Sequence, residues 1–137
     1  MNLEKLEDQL IAHAGWRLDR YKDSVGIWTI GVGRNLEHVG LRSEAEAKFL
    51  LRSDLVAIRA ELERAIPWLR DLSEARQHVW MDMAFNLGVS GLMKFEKTLR
   101  HVANGNYAAA SVEMLRSRWS RQVHQRSVTL SEMMARG

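Results

Sequence analysis

Residues 14–36 read A-G-W-R-L-D-R-Y-K-D-S-V-G-I-W-T-I-G-V-G-R-N-L. Arg17 to Lys22 alternates polar and apolar side chains, with Leu18 and Tyr21 expected to make the buried contacts. Asp23-Ser24-Val25-Gly26 is a turn, because an Asp side chain bonds back to the backbone and a Gly supplies positive φ. Ile27 to Val32 is rich in β-branched and aromatic residues and reads as the returning strand. The stretch therefore predicts a small β-hairpin, followed by a loop from Arg34 to Leu41.

Helices surround it. Upstream, Leu3, Leu6 and Leu10 share one face of a helix over 2–13, with Asn2 as N-cap and Gly15 as the stop. Downstream, Ser43-Glu44-Ala45-Glu46 is a capping box that opens a long helix to about Ala65, with Leu51, Leu55, Ile58 and Leu62 as its stripe and Pro67 ending it. Ser73 caps a helix to about Leu87 that is apolar on most faces (Val79, Trp80, Met81, Met83, Ala84, Phe85, Leu87) and is expected to be the buried core. Gly88 to Gly91 reads as a loop, Leu92 to Ala103 as a helix stopped by Asn104-Gly105, and Tyr107 to Leu115 as a further helix. Arg116 to Trp119 reads as a basic junction before a last helix over 120–135, with Val123, Leu130 and Met134 inward. The fold class is α+β, mostly helical.

At 137 residues the chain suits one compact domain. With no Cys, disulfides and thiolate metal sites are excluded, which fits a reducing compartment without establishing one. The N-terminal residues lack the basic head and apolar run of a signal peptide, and no segment approaches a membrane span. Charge is uneven. Met1 to Met93 carries 12 Lys/Arg and 14 Asp/Glu, whereas Lys94 to Gly137 carries 8 and 3. That basic C-terminal third suggests an anionic partner: nucleic acid, a membrane surface or a cell-wall polymer.

Few side chains fit a chemical role. The five His are scattered, none at i, i+4 from another, so neither a metal nor another cofactor is expected. Gly31-x-Gly33 lacks the third Gly of a dinucleotide fingerprint and reads better as a close backbone approach. Carboxylates remain. Asp23 at the turn and Thr29 on the return strand can approach across a tight hairpin and hold one water between them, as a general base requires. Taken alone, Asp23 is more often just a turn former.

With these residues in place the chain resembles the phage-type lysozymes, the endolysin muramidases of glycoside hydrolase family 24. Their signature runs E-G-x-R-L-x-x-Y-x-D-x-x-G-x-x-T-I-G-x-G. Gly15, Arg17, Leu18, Tyr21, Asp23, Gly26, Thr29, Ile30, Gly31 and Gly33 fall on it at fixed spacing. E-A-E-A-K-F-L-L-R-S-D-L resembles the family's interlobe helix, Phe85-Asn86-Leu87-Gly88 its core helix, and Ser117 to Arg126 its C-terminal segment. The resemblance implies a lysozyme-like two-lobe fold in a single domain over 1–137. A β-containing lobe at about 12–42 is joined by a connecting helix at about 43–66 to a helical lobe of 67–137 plus the N-terminal helix. It also implies hydrolysis of the β-1,4 bond between N-acetylmuramic acid and N-acetylglucosamine. A Glu at the end of the first helix would be the general acid, and Asp23 and Thr29 would place a water on the opposite face of the sugar, the inverting arrangement. Phe85, Thr98, Glu113 and Arg126 resemble substrate-binding residues, Arg126 being the arginine that approaches the acid, and Arg34 and Asp54 resemble a pair linking hairpin and long helix.

The departure falls on the acid. The family's Glu corresponds to Ala14. His13 cannot replace it simply, since neighbouring helix residues point about 100° apart. Two readings stand: a Glu→Ala change that silences an otherwise intact muramidase, which the complete remainder of the motif favours, or a relative that binds glycan without cleaving it. The first makes the chain a lysozyme of little activity in this form; a lytic transglycosylase is its enzymatic variant. The second makes it a cationic module that binds cell wall or perturbs membranes. A nucleic-acid binder rests on net charge alone. Expected partners are peptidoglycan glycan strands, and a membrane surface through the basic C-terminal third; nucleic acid is not expected. The chain is expected to be a monomer in the host cytoplasm that reaches the periplasm and wall after a phage holin opens the membrane.

Overall fold

The computed structural model describes every residue, Met1–Gly137. The chain divides into two compact units, Met1–Lys48 and Phe49–Gly137. This division groups the N-terminal helix with the sheet, where the sequence reading assigns it to the helical lobe. About 66% of residues are helical and one small antiparallel sheet is present, so the mostly helical α+β class holds.

In the first unit α1 spans Leu3–Ala14. Asn2 accepts from the Lys5 N–H and caps it, and Gly15 ends it at φ 80°. Its leucines are not buried: Leu3, Leu6 and Leu10 are all exposed. Strands β1 (Arg17–Lys22), β2 (Trp28–Gly31) and β3 (Arg34–Asn35) form the sheet in the order β1-β2-β3. Tyr21 pairs with Thr29 and Lys22 with Trp28, and the register breaks between Arg17 and Tyr21. That irregularity turns Leu18 outward, so it is exposed rather than a buried contact. The cations of the β1 edge lie over aromatic faces: Arg17 sits 4.4 Å from the Tyr21 ring and Arg20 4.6 Å from that of Trp28. Charged, exposed edges of this kind resist strand addition.

The third strand replaces the start of the expected loop. Thr29 pairs with Asn35 and Ile30 with Arg34 across a turn at Val32-Gly33. Gly33, at φ 63°, supplies the left-handed residue that a tight hairpin needs. Asn35 then closes the chain by accepting from the Glu37 and His38 N–H groups.

Helix α2 runs Glu44–Ala65 and spans the boundary between the units. The Ser43 hydroxyl accepts from the Glu46 N–H at 3.1 Å, as a capping box requires. The reciprocal half differs, because the Glu46 carboxylate takes the Arg42 N–H instead of that of Ser43. Of the α2 stripe only Leu62 is fully buried, and Leu51 is exposed. Farther along, Glu63 accepts from Arg70 at 2.8 Å and Arg59 at 2.9 Å. The Arg70 bond first, then that of Arg59, holds the Glu63 carboxyl below its usual value of 4.5. A lowered folded-state value contributes stability above the unfolded value and loses it as pH falls through the folded one. Glu63→Gln should therefore flatten part of the acid-side decline in stability. Urea midpoints for the two proteins, compared at about pH 6 and about pH 3, should converge at the lower pH.

The second unit holds the core. After Pro67 a short 3-10 turn at Leu69–Asp71 leads to α3 (Glu74–Leu87), capped by Ser73. Val79, Trp80, Met83 and Ala84 face inward, but Phe85 is exposed. The helix is thus buried on one broad face, not all round. The expected loop after Gly88 is a single helical turn, α4 (Val89–Leu92), whose Val89 and Leu92 are buried. Consequently α5 starts later, at Glu96–Ala103, and ends at Asn104-Gly105 as expected. Helix α6 spans Tyr107–Arg116 and packs between α5 and α8.

The expected last helix is two. Ser117 caps α7 (Arg118–Val123), and α8 runs Gln125–Arg136. His124 separates them at φ 47°, ψ −113°, the only non-Gly residue with positive φ. A strained residue of this kind costs about 1–3 kcal/mol, and a Gly there would remove the strain at an entropic cost of about 0.5–1 kcal/mol. His124→Gly should raise stability by about 1 kcal/mol, read as a Tm increase of about 3 °C. Arg76 fastens the C-terminus of α8, donating to the Met134 and Ala135 carbonyls and lying 3.4 Å from the Tyr107 ring centroid. A cation is favoured there because the last carbonyls of a helix lack partners.

Candidate active site

Asp23, Thr29 and Ala14 all lie in the first unit. Asp23 closes the turn between β1 and β2 with its own backbone and side chain. Its N–H donates to the Ile27 carbonyl at 2.9 Å, and its Oδ1 accepts from the Val25 and Ile27 N–H groups, both at 2.9 Å. One carboxylate oxygen is thereby fixed, and the other is left for a ligand. Thr29 is 4% exposed, and its hydroxyl donates to the Ile27 carbonyl at 2.9 Å. With its proton committed, Thr29 Oγ can only accept from a further partner. Both side chains are thus oriented by the backbone of one residue, Ile27. The turn-forming reading of Asp23 is met by Oδ1 alone.

Ala14 is the last residue of α1. A Cβ added to Gly33 would stand 3.3 Å from the Ala14 methyl, so the β2–β3 turn passes directly beside it. This is the close approach that the Gly31-x-Gly33 spacing suggests. Beside that contact lies a cavity of about 530 Å³ lined by Glu7, Leu10, Ile11, Ala14, Trp16, Val32 and Gly33. Arg34, which the resemblance matched with Asp54, is engaged within its own unit by the Gly40 carbonyl and by Glu46 at 3.2 Å.

The other candidates lie in the second unit. Thr98 is 3% exposed, and with Glu113 it lines one cavity of about 390 Å³. Lys94, Phe95, Lys97 and Arg116 share its wall, and Arg116 pairs with Glu113 at 3.4 Å. Phe85 is exposed on α3 and does not line that cavity. Arg126 is held by Asp82, with Nε donating to Oδ1 at 2.7 Å and Nη2 to the Asp82 carbonyl at 3.3 Å. Asp82 was not among the expected residues. The one feature that marks it in the sequence is a lone carboxylate inside the apolar run V-W-M-D-M-A-F. The cations around Thr98 carried no comparable signal beyond net charge.

Comparison with known proteins places the chain among related sequences. A family model described as phage lysozyme matches residues 12–136. Two curated proteins of Dictyostelium discoideum are similar along the chain. "Probable T4-type lysozyme 1" is 25% identical over 154 aligned positions, and "Probable T4-type lysozyme 2" is 24% identical over 153. Each alignment covers 91% of this chain and 90% of the relative. An alignment longer than 137 residues means that the relatives carry insertions this chain lacks.

Proposed function

The chain belongs to the phage lysozyme family, a family of peptidoglycan hydrolases, and from that premise we propose that it is an endolysin muramidase silenced at position 14. Its bond is the β-1,4 link from N-acetylmuramic acid to N-acetylglucosamine. The observation that carries this reading is the base side of the site. Asp23 and Thr29 are both oriented by Ile27, each with an oxygen left for one water. The water attacks the anomeric carbon as an acid on the opposite face protonates the leaving oxygen, which inverts the configuration. Ala14 has no proton to give. The chain works on glycan strands in the wall, as a monomer, after release from the host cytoplasm through a membrane opened by a holin.

Ala14→Glu tests this reading. It should give clearing of peptidoglycan suspensions with new reducing ends in the product and, by NMR, inversion at the cleaved carbon. An anhydro-sugar end would instead assign a lytic transglycosylase. A cell-wall-binding or membrane-perturbing module is the second reading, supported by the excess of Lys/Arg after residue 94. It requires equal, salt-sensitive wall binding or membrane permeabilisation by the parent and Ala14→Glu chains, with no glycan cleavage by either.

A further inference from the structure

We propose that the cavity beside Ala14 is a binding site for a small carboxylic acid of the acetic acid class, which there serves the chain as a diffusible general acid. The inference rests on the muramidase reading given above. The atoms that an Ala side chain lacks relative to a Glu are those of acetic acid, so this ligand supplies the missing group without a covalent tether. The cavity, at about 530 Å³, has room for it. Gly33 lets the ligand come close. Gly33, the turn residue beside the Ala14 methyl, carries no side chain, and φ 63° disfavours any other residue there.

The walls suit an acid that must hold its proton. Leu10, Ile11, Ala14, Trp16 and Val32 present carbon along an open groove, and carbon solvates a charged carboxylate less well than water does. Glu7 is the one ionisable group lining the cavity, on the same face of α1 as Ala14, since seven residues make two helical turns. Glu7 cannot take the role itself, being two turns, about 10 Å, along the helix from Ala14.

The step balances. The bound acid gives its O–H proton to the glycosidic oxygen as the bond from that oxygen to the anomeric carbon breaks. The water held by Asp23 and Thr29 forms the new bond to the same carbon and gives its proton to the Asp23 carboxylate. The ligand leaves the step as carboxylate and Asp23 as carboxylic acid, and exchange with solvent restores both. Nothing is oxidised or reduced.

The test uses the chain as it stands, with Ala14 in place. Release of reducing ends from peptidoglycan is followed at constant ionic strength and about pH 5, with sodium acetate or formate replacing sodium chloride. The expected result is a rate that rises with carboxylic acid concentration to a plateau, on the order of tenfold above chloride. The gain stays below that of a tethered acid because a bound ligand is less well oriented than a side chain. Ala14→Leu, which fills the cavity mouth, should lose the response. Failure of acetate and formate to accelerate the parent chain, while Ala14→Glu cleaves, would overturn the site and leave the muramidase reading standing. Equal acceleration of Ala14→Leu would also overturn the site, because the acid would then act from solution. An inactive, folded Ala14→Glu would overturn the muramidase reading and this inference with it.

Discussion

Ala14→Glu is expected to raise the rate of peptidoglycan hydrolysis by about 10²–10⁴-fold over the parent chain, the usual worth of a positioned general acid. The gain should lie in kcat rather than KM, since the proton is needed only as the leaving oxygen departs. Position 14 can bear the longer side chain: Ala14 is exposed, it borders open space, and its neighbour across the turn is a glycine. The same substitution should lower stability. Ala14 is the C-terminal residue of α1, where an anion opposes the helix dipole at a cost of about 0.3–1 kcal/mol. Ala is also a better helix former than Glu, though slightly. A variant that is faster yet melts earlier is the signature of a site selected for chemistry, as opposed to one selected for packing. Activity assays and thermal melts on parent and variant measure both halves. Unchanged activity with a lowered Tm would leave Ala14 as an ordinary helix terminus.

Much of the site was legible because its geometry is local. The turn at Asp23, the return strand to Thr29 and the close approach at Gly33 are set within about twenty residues, by Asp and Gly preferences that act between near neighbours. The caps at Asn2, Ser43 and Ser73 were legible for the same reason. The errors fall where distant packing decides. Leu18 carries the apolar pattern of a buried strand residue, but an irregular register turns it to solvent. Residues 120–135 carry one continuous helical pattern, and nothing in His124 announces a break. The break is held by contacts that sequence spacing does not reveal, including Ser120 against the fully buried Ser127 at 2.7 Å and the Ser127 hydroxyl on the His124 carbonyl. The contact of Arg126 with Asp82, 44 residues away, is likewise announced by no spacing. A side chain's partner is the least local property of a site, so it is the last to be legible.

In the Ala14→Glu background, Asp23→Asn is expected to lower hydrolysis by about 10²–10⁴-fold while leaving stability nearly unchanged. The contrast follows from the division of labour between the two carboxylate oxygens. Oδ1 accepts from the Val25 and Ile27 N–H groups, and an Asn side-chain carbonyl accepts the same two bonds. Asn is also as good a turn former as Asp. What Asn cannot do is take the proton of a water at the second position, where it presents an N–H₂ donor in place of a basic oxygen. Asp23→Ala removes both functions. It should lose activity and also destabilise the hairpin, with two turn N–H groups left without their acceptor, at about 1 kcal/mol or more. Thermal melts separate the two variants, and reducing-end assays should not. If Asp23→Asn kept full activity, Asp23 would be a turn former only. The water would then have to be held by Thr29 alone, a hydroxyl whose proton is already given to the Ile27 carbonyl and which has no basicity to accept another.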